Sequence, residues 1–585
     1  MKQFLASFLG SCFGVLITGI VFTVVVLVIV IKTFSFIRTS TDSEESSLYS
    51  RAVIQLNLEG DCAEKSQDYT LNLNSQSNPL SEKMGVHELC DRIRSISTND
   101  TVKALFIRIS NWQASLAVSH ELRKALEEFK KTGKKIWTYA DAYNQNAYYL
   151  ASVSNSVAMN PSGTIFWKGL AMEQLYFTQA LRHWNIEVDV YRCGKYKSAV
   201  EPFYTNAMSP ESRYQNRLLM SSLWSNTCND IAQSRSLTTN QLNDWAEHLY
   251  FNHAQKTKVY LVDTLVYESA FTDAIKKQYS LSSTAVFTSL ESTSGAKDSN
   301  NQNHIAVVLA EGTIVDGPGD ADEIGSETFC KTLQSIDRNP KVKGVVLRIN
   351  SPGGSAFASE QIWYTLKQLA RHKPLIISMG NVAASGGYYI ACAGSYIMAD
   401  PFTITGSIGV FGMVPQFSSF LKNQLNLSVD TLQTHSHSHL GSLLVPNSSF
   451  AKKIIQTGVD SIYQQFLQRV AGNRHWSLSK TDSVAQGRVW SAAEALKVGL
   501  IDQMGSLHEA LQWIRKKHHL ESLACQYYPK HSFELKSLVQ ALIQTQAAIG
   551  DHKLLKPYKP FLNRLKEMDY VPLYWMQMPQ AMHIH

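Results

Sequence analysis

Apolar positions in this chain follow two kinds of pattern. Phe4 to Ile31 is a run of 28 positions without a charge, bounded by Lys2 and Lys32. As a helix it would span about 42 Å, more than the roughly 30 Å hydrocarbon core of a bilayer. A cleavable leader has an apolar stretch of only about 7–15 residues and ends at small residues. Here the run ends in Val24-Val25-Val26-Leu27-Val28-Ile29-Val30-Ile31, with no Ala-x-Ala after it. The pattern predicts one retained transmembrane helix over 1–33. Its orientation stays open, because Lys2 and the amino terminus are balanced by Lys32 and Arg38. Further along, short aliphatic runs at Ile305–Leu309, Val345–Ile349 and Leu375–Met379 predict buried strands. Residues 359–371 carry helical spacing (Ile362, Leu366, Leu369) between the last two. Strand–helix alternation predicts α/β layers around a largely parallel sheet.

The pattern is written twice. Val102-Lys103-Ala104-Leu105-Phe106-Ile107-Arg108-Ile109 matches Val342-Lys343-Gly344-Val345-Val346-Leu347-Arg348-Ile349, 240 residues on. At the same offset Ala147-Tyr148-Tyr149-Leu150-Ala151 matches Gly387-Tyr388-Tyr389-Ile390-Ala391, and Asn160-Pro161 matches Asp400-Pro401. Val188-Asp189 matches Val429-Asp430, and Leu261-Val262-Asp263 matches Leu500-Ile501-Asp502, with a drift of one residue that small loop changes produce. The expected organisation is therefore an anchor (1–33), a linker (34–50), a first repeat (51–288), a Ser/Thr/Gly/Asn/Gln-rich linker (289–304), a second repeat (305–520) and a tail (521–585).

A length of 585 residues fits two or more domains, and 44% hydrophobic residues suffice for large cores. The net charge of +7 is scattered along the chain, which reads as a solvated surface and not a nucleic-acid footprint. Eight cysteines without a Cys-x-x-Cys pair read as buried free thiols.

Candidate chemistry lies in two stretches 188 residues apart. In the second repeat a strand runs into Asn350-Ser351-Pro352-Gly353-Gly354-Ser355, and the next strand leads to Ser385-Gly386-Gly387. A serine at a strand-to-helix turn exposes its hydroxyl, and the amide that follows is unpaired. Amides of Gly354 and Gly386 could then converge as an oxyanion hole. Such a serine needs a base. The histidines of the second repeat cluster as His435-Ser436-His437-Ser438-His439, a spacing that suits a loop, with no carboxylate or cysteine beside it. We read that stretch as solvated and expect neither metal nor cofactor. Lys197 is the better base, provided that burial lowers its pKa; Lys195 is the rival. Tyr196, Val200, Pro202 and Phe203 could supply an apolar wall. The repeats complement each other: the first has Gln145 at the place of Ser385 and Asn111-Trp112-Gln113-Ala114 at the place of Ser351-Pro352-Gly353-Gly354, while the second has about Ser438 at the place of Lys197.

Five separate motifs in order resemble the long, duplicated form of the signal peptide peptidase A family, within the Clp-protease/crotonase-like superfamily. They are Tyr196-Lys197-Ser198-Ala199-Val200-Glu201-Pro202-Phe203, Asn350-Ser351-Pro352-Gly353-Gly354, Ala383-Ala384-Ser385-Gly386-Gly387-Tyr388-Tyr389, Thr405-Gly406-Ser407-Ile408-Gly409 and Gly487-Arg488-Val489-Trp490. The resemblance implies tandem Clp-protease/crotonase-like domains behind one anchor, Ser385 as nucleophile and Lys197 as general base. It also implies Ser407 as the serine that orients the lysine amine, and Gly354 and Gly386 as the oxyanion hole. Its implied setting is a homotetramer on the bacterial cytoplasmic membrane, with the catalytic body outside the cytoplasm and remnant signal peptides as substrates. The His435–His439 stretch matches no motif of the family. Two other readings stand beside this one: a crotonase-like acyl-CoA enzyme, which needs no Ser-Lys dyad, and a catalytically silent membrane scaffold of the same fold. The tail, with Lys553, Lys556, Lys559, Arg564 and Lys566 among apolar residues, is left without a role.

Overall fold

The computed structural model describes residues 49–71, 80–249, 261–293, 302–320, 322–521, 523–529 and 575–577. The expected anchor, and the linker after it up to residue 48, lie outside the described residues. Among the described residues no helix is long and apolar enough to cross a membrane.

The first repeat contains β1 (Tyr49–Gly60), β2 (Gln67–Leu71), β3 (Leu80–Lys83), β4 (Ala104–Trp112), β5 (Lys135–Ala140), β6 (Ser156–Met159), β7 (Glu187–Arg192), β8 (Thr264–Leu265) and β9 (Val286–Ser289). The second contains β10 (His304–Glu311), β11 (Thr313–Val315), β12 (Glu323–Gly325), β13 (Val342–Ser351), β14 (Gly353–Ser355), β15 (Leu375–Ala384) and β16 (Tyr396–Ala399). It continues with β17 (Ile404–Gly406), β18 (Phe411–Gln416), β19 (Val489–Ser491), β20 (Gln503–Met504) and β21 (Ala524–Tyr528). A final strand, β22, is Trp575–Gln577.

Strand order bears out the duplication. The first sheet runs β8-β6-β5-β4-β1-β9, and the second contains the same path, β20-β16-β15-β13-β10-β21. The pairs along both paths are parallel. Helices Pro210–Arg235 and Ser449–Arg474 are also counterparts, 26 residues each. Ala356–His372 forms the helix expected at 359–371, with Ile362, Leu366 and Leu369 buried. Two expectations need correction. β15 runs on to Ala384 rather than ending at Met379, because Val382, Ala383 and Ala384 pair with β17. The second repeat does not end at 520, because Ala524–Tyr528 pairs along β10 as an edge strand. Five residues of mixed polarity carry too little pattern to announce an edge strand.

A third sheet mixes the repeats, in the order β12-β11-β14-β22-β18-β7. Here β7 of the first repeat lies antiparallel to β18 of the second, from Arg192 opposite Phe411 to Glu187 opposite Gln416. The apolar core of the first repeat takes in Ala384, Phe402, Ile404 and Val489 of the second. Buried polar pairs complete the joint. Arg348, at the end of β13, makes two 3.0 Å bonds to Glu64 and lies 3.2 Å from Glu121. His120 sits 2.6 Å from Asp400. Burial alone would raise the Glu64 carboxyl, but the Arg348 charge, helped by His87, lowers it from 4.5 to about 2.

Since the folded value lies below the ordinary one, this contribution is complete at neutral pH and is lost as pH falls from about 4.5 towards 2. Glu64→Gln leaves the buried Arg348 charge with Glu121 as its remaining carboxylate and should cost about 3 kcal/mol, the low end for a broken buried pair. Guanidinium unfolding between pH 7 and pH 3 checks both points. The wild type should lose stability across that window, and the variant should start lower and change less with pH.

Candidate active site

Ser385 stands between β15 and the helix Gly386–Ala391, with φ 56° and ψ −116°. This is a sharp strand-to-helix elbow of a kind that costs about 1–3 kcal/mol and persists only where neighbours enforce it. Its amide donates to the Gly406 carbonyl at 2.8 Å, and its carbonyl accepts from the Tyr389 amide. Ser407 also has positive φ, 49°, and its amide is held by the Arg488 carbonyl at 2.7 Å. The Gly353-Gly354 pair is the short strand β14 and not a bare turn. A side chain at Gly354 would meet the Ile314 carbonyl oxygen at 1.9 Å, so no larger residue fits there. A Cβ on Gly386 would lie 3.2 Å from the Gly354 nitrogen, which puts the two glycines against each other beside Ser385.

Lys197 arrives from the first repeat. β7 carries the chain along β18; the Cys193 amide then donates to Val410, and the Tyr196 amide to Gln486. The Lys197 amine lies 2.9 Å from Ser385 Oγ, 3.0 Å from the Ser407 carbonyl and 3.1 Å from Ser407 Oγ. Lys197 and Ser385 are fully buried, and Ser407 nearly so. Burial is the cause that moves the Lys197 amine, and it moves it well below the ordinary lysine range. Lys195 is exposed, with its amine 5.3 Å from the Tyr196 ring.

The wall around Lys197 differs from the expected one. Val200 and Pro202 are buried, but Phe203 is half-buried and stacks on Phe177. The close wall is the backbone of Gly487, where a Cβ would fall 2.6 Å from Lys197 Cβ and 2.7 Å from its nitrogen. Gln215, buried on the helix Pro210–Arg235, ties this loop across the repeats. Its Nε2 donates to the Tyr196 carbonyl and Ser198 Oγ, and its Oε1 accepts from the Val489 amide at 3.1 Å. Nothing in the sequence singled out Gln215. Gly487 stood in a matching motif but without a role.

The first repeat closes its own counterpart of this site. Gln145 lies within the first turn of its helix, where the second repeat has the Ser385 elbow. Its side chain accepts from the Lys168 and Gly169 amides and donates to the Gly169 carbonyl. Trp112 is buried where the second repeat has Pro352. Ser438 and the surrounding His435–His439 stretch form a loop far more exposed than Lys197, with His437 stacked on Phe450.

Comparison with known proteins adds an independent line. The sequence profile of peptidase family S49 matches residues 128–282 and again 367–521, and the Clp protease profile matches 296–401. Protease 4 of Haemophilus influenzae is 32% identical over 530 residues, covering 86% of this chain and 85% of that one. Protease 4 of Salmonella typhi is 30% identical over 462 residues, covering 76% and 74%. The chloroplastic serine protease SPPA of Arabidopsis thaliana is 26% identical over 447 residues, covering 74% and 66%.

Gly487→Ala should push Lys197 away from Ser385, because the atoms it would meet belong to the Lys197 backbone and Cβ and cannot swing aside. Displacing a reacting group by about 1 Å costs on the order of 10²-fold in rate. We expect acylation of Ser385 by an activated ester to slow by about that factor, with far-ultraviolet circular dichroism unchanged.

Proposed function

From the premise that the chain belongs to peptidase family S49 and is a serine protease of tandem, duplicated α/β domains, we propose that it is a membrane-anchored endopeptidase. In this reading it degrades cleaved signal peptides and similar apolar peptides through a Ser385–Lys197 dyad. The observation that carries the reading is the buried Lys197 amine, 2.9 Å from Ser385 Oγ.

Burial lowers the pKa of the amine and so favours its neutral form, which has two N–H donors and one lone pair. Its three neighbours match that inventory. In the neutral form two N–H groups donate to the Ser407 carbonyl and Ser407 Oγ, which leaves the lone pair for the Ser385 hydroxyl, 2.9 Å away. Lys197 takes the Ser385 proton as Ser385 Oγ attacks the peptide carbonyl. Amides of Gly354 and Gly386 receive the oxyanion, each such donor being worth about 2.7–4 kcal/mol in the transition state. The lysinium then protonates the leaving amine, and water, deprotonated by Lys197, hydrolyses the ester. Ser407 is the positioning residue that aims the amine.

The charge-free run Phe4–Ile31 supports a single-pass anchor, and we place the catalytic body on the extracytoplasmic side of a bacterial cytoplasmic membrane. We place it in a homotetramer; exposed apolar side chains in two regions support self-association. One holds Phe166, Leu175, Phe177 and Trp184; the other holds Leu425, Leu427, Val429 and Leu432.

Hydrolysis of a fluorogenic apolar peptide by detergent-solubilised protein tests the assignment. Ser385→Ala should abolish turnover. Lys197→Ala should lower kcat/KM by about 10²–10⁴-fold, whereas Lys195→Ala should leave it within about twofold, the exposed amine being far from the reacting atoms. Full turnover in Lys197→Ala would sink the dyad, and none in a folded wild type would favour the silent scaffold.

A further inference from the structure

The two halves of the candidate site are carried by different backbones, and one side chain touches both. In the second repeat β17 and β19 pair with Gly406 opposite Val489. The Gly406 carbonyl accepts from the Ser385 amide at 2.8 Å, and the Arg488 carbonyl accepts from the Ser407 amide at 2.7 Å. This strand pair therefore carries both serines that face the Lys197 amine. On the lysine side, Gln215 Nε2 donates to the Tyr196 carbonyl at 3.1 Å and to Ser198 Oγ at 3.2 Å, the two neighbours of Lys197. On the serine side, Gln215 Oε1 accepts from the Val489 amide at 3.1 Å. Only one orientation of the amide serves all three. Reversing it would set oxygen against the Tyr196 carbonyl and N–H against the Val489 N–H.

Gln215 is 2% exposed, on a helix face shared with Leu219, Leu223 and Ile231. A buried amide costs free energy unless its bonds are made, so an apolar residue would be the simpler choice for packing alone. The helix Pro210–Arg235 is itself fixed from both sides. Glu201, four residues after Lys197, accepts from the Ser209 hydroxyl at 2.6 Å and from its amide at 3.2 Å. Ser209 in turn caps the helix by accepting from the Ser212 amide. Asn226, further along, donates to the Pro401 carbonyl of the second repeat at 2.8 Å. Loop, helix and strand pair thus close a frame around Lys197. The counterpart helix offers a comparison within the same chain. The sixth residue of Pro210–Arg235 is Gln215; the sixth of Ser449–Arg474 is Ile454, 46% exposed. The repeat without the lysine has no amide at that place.

We propose that Gln215 is a positioning residue for the Ser385–Lys197 reaction, which fixes the lysine loop and the serine-bearing strand pair at one separation. The proposal rests on the peptidase reading for the reaction it serves. Gln215 acts through Tyr196, Ser198 and Val489, not on the reacting atoms.

The test uses the detergent-solubilised full chain. Gln215→Leu keeps the approximate volume and loses all three bonds. Gln215→Glu keeps the acceptor for Val489 and loses the donors. Ser198→Ala removes one acceptor at the cost of a single oxygen atom. Two rates are followed from pH 5 to pH 11: fluorophosphonate labelling of Ser385 and, in a Ser385→Ala background, trace acetylation of the Lys197 amine by acetic anhydride, located by mass spectrometry. Both Gln215 variants should label about 10²-fold more slowly at the plateau, as for a reacting group displaced by about 1 Å. KM for an apolar peptide should stay within about twofold, since the loss falls on the transition state. Burial alone sets the Lys197 amine low, so a loosened loop that admits water should move the acetylation midpoint up towards the ordinary lysine range. Gln215→Glu should move it further, because a carboxylate favours the charged amine. Ser198→Ala should slow labelling in the same direction by a smaller factor, and it carries the test alone if the Gln215 variants do not fold. A lower Tm with the wild-type plateau rate and midpoint would make Gln215 purely structural and overturn the proposal, as would unchanged labelling in Ser198→Ala when it stands alone. A shifted acetylation midpoint without labelling or turnover by any Ser385-containing form upholds the positioning of the amine and counts instead against the peptidase reading.

Discussion

The arrangement turns on a single energetic demand: a lysine amine has to be kept entirely out of water. An amine at its ordinary pKa is nearly all charged at neutral pH, and burying that charge costs several kcal/mol unless a counter-ion repays it. Among the described residues no carboxylate repays it. Lys197 is fully buried among Ser385, Ser407 and the Gly487 backbone, and burial drives the amine towards its neutral form. Much of the surrounding architecture follows. The Lys197 loop is led in by β7, clamped by Gln215 and Gln486, and capped by a glycine because no Cβ fits. The buried Arg348–Glu64 and His120–Asp400 pairs hold the repeats in the register that closes the pocket.

The duplication explains how such a pocket is built. Two copies of one α/β layer keep the same strand order, yet each has given up half of a site. In the first repeat the elbow has become regular helix, and Gln145 bonds back to the 168–169 backbone. In the second, the stretch in line with the Lys197 loop is an exposed loop, and β7 of the first repeat takes its place on β18. Within this one chain the candidate site is made between the two repeats. Glu64 and Glu121 of the first repeat fulfil the same logic, since they supply the charges that Arg348 of the second requires.

Much of this was legible in the residues. Similar eight-residue stretches 240 positions apart, identical at Val, Lys, Arg and Ile, announced the repeat, and aliphatic runs announced the central strands, because buried parallel strands need continuous apolar stretches. Ser385 was legible from its glycines, and Lys197 from its apolar neighbours. Other features were not. Gln215 looks like any polar residue on a helix, and its role exists only once Tyr196 and Val489 come together. Phe203 was assigned to the lysine wall but faces Phe177, since sequence adjacency does not say which way a helical side chain turns. The β22 pairing was invisible because three residues of backbone ladder leave no periodic signal.

The central claim is that Ser385 is activated by a neutral Lys197. Its most direct test is the rate at which a fluorophosphonate labels Ser385, measured from pH 5 to pH 11. We predict a single rise with pH whose midpoint lies well below the ordinary lysine value, set by the buried amine and lost in Lys197→Ala. A rate that rises only near the ordinary lysine pKa of about 10.4, or a profile unchanged in Lys197→Ala, would contradict the account.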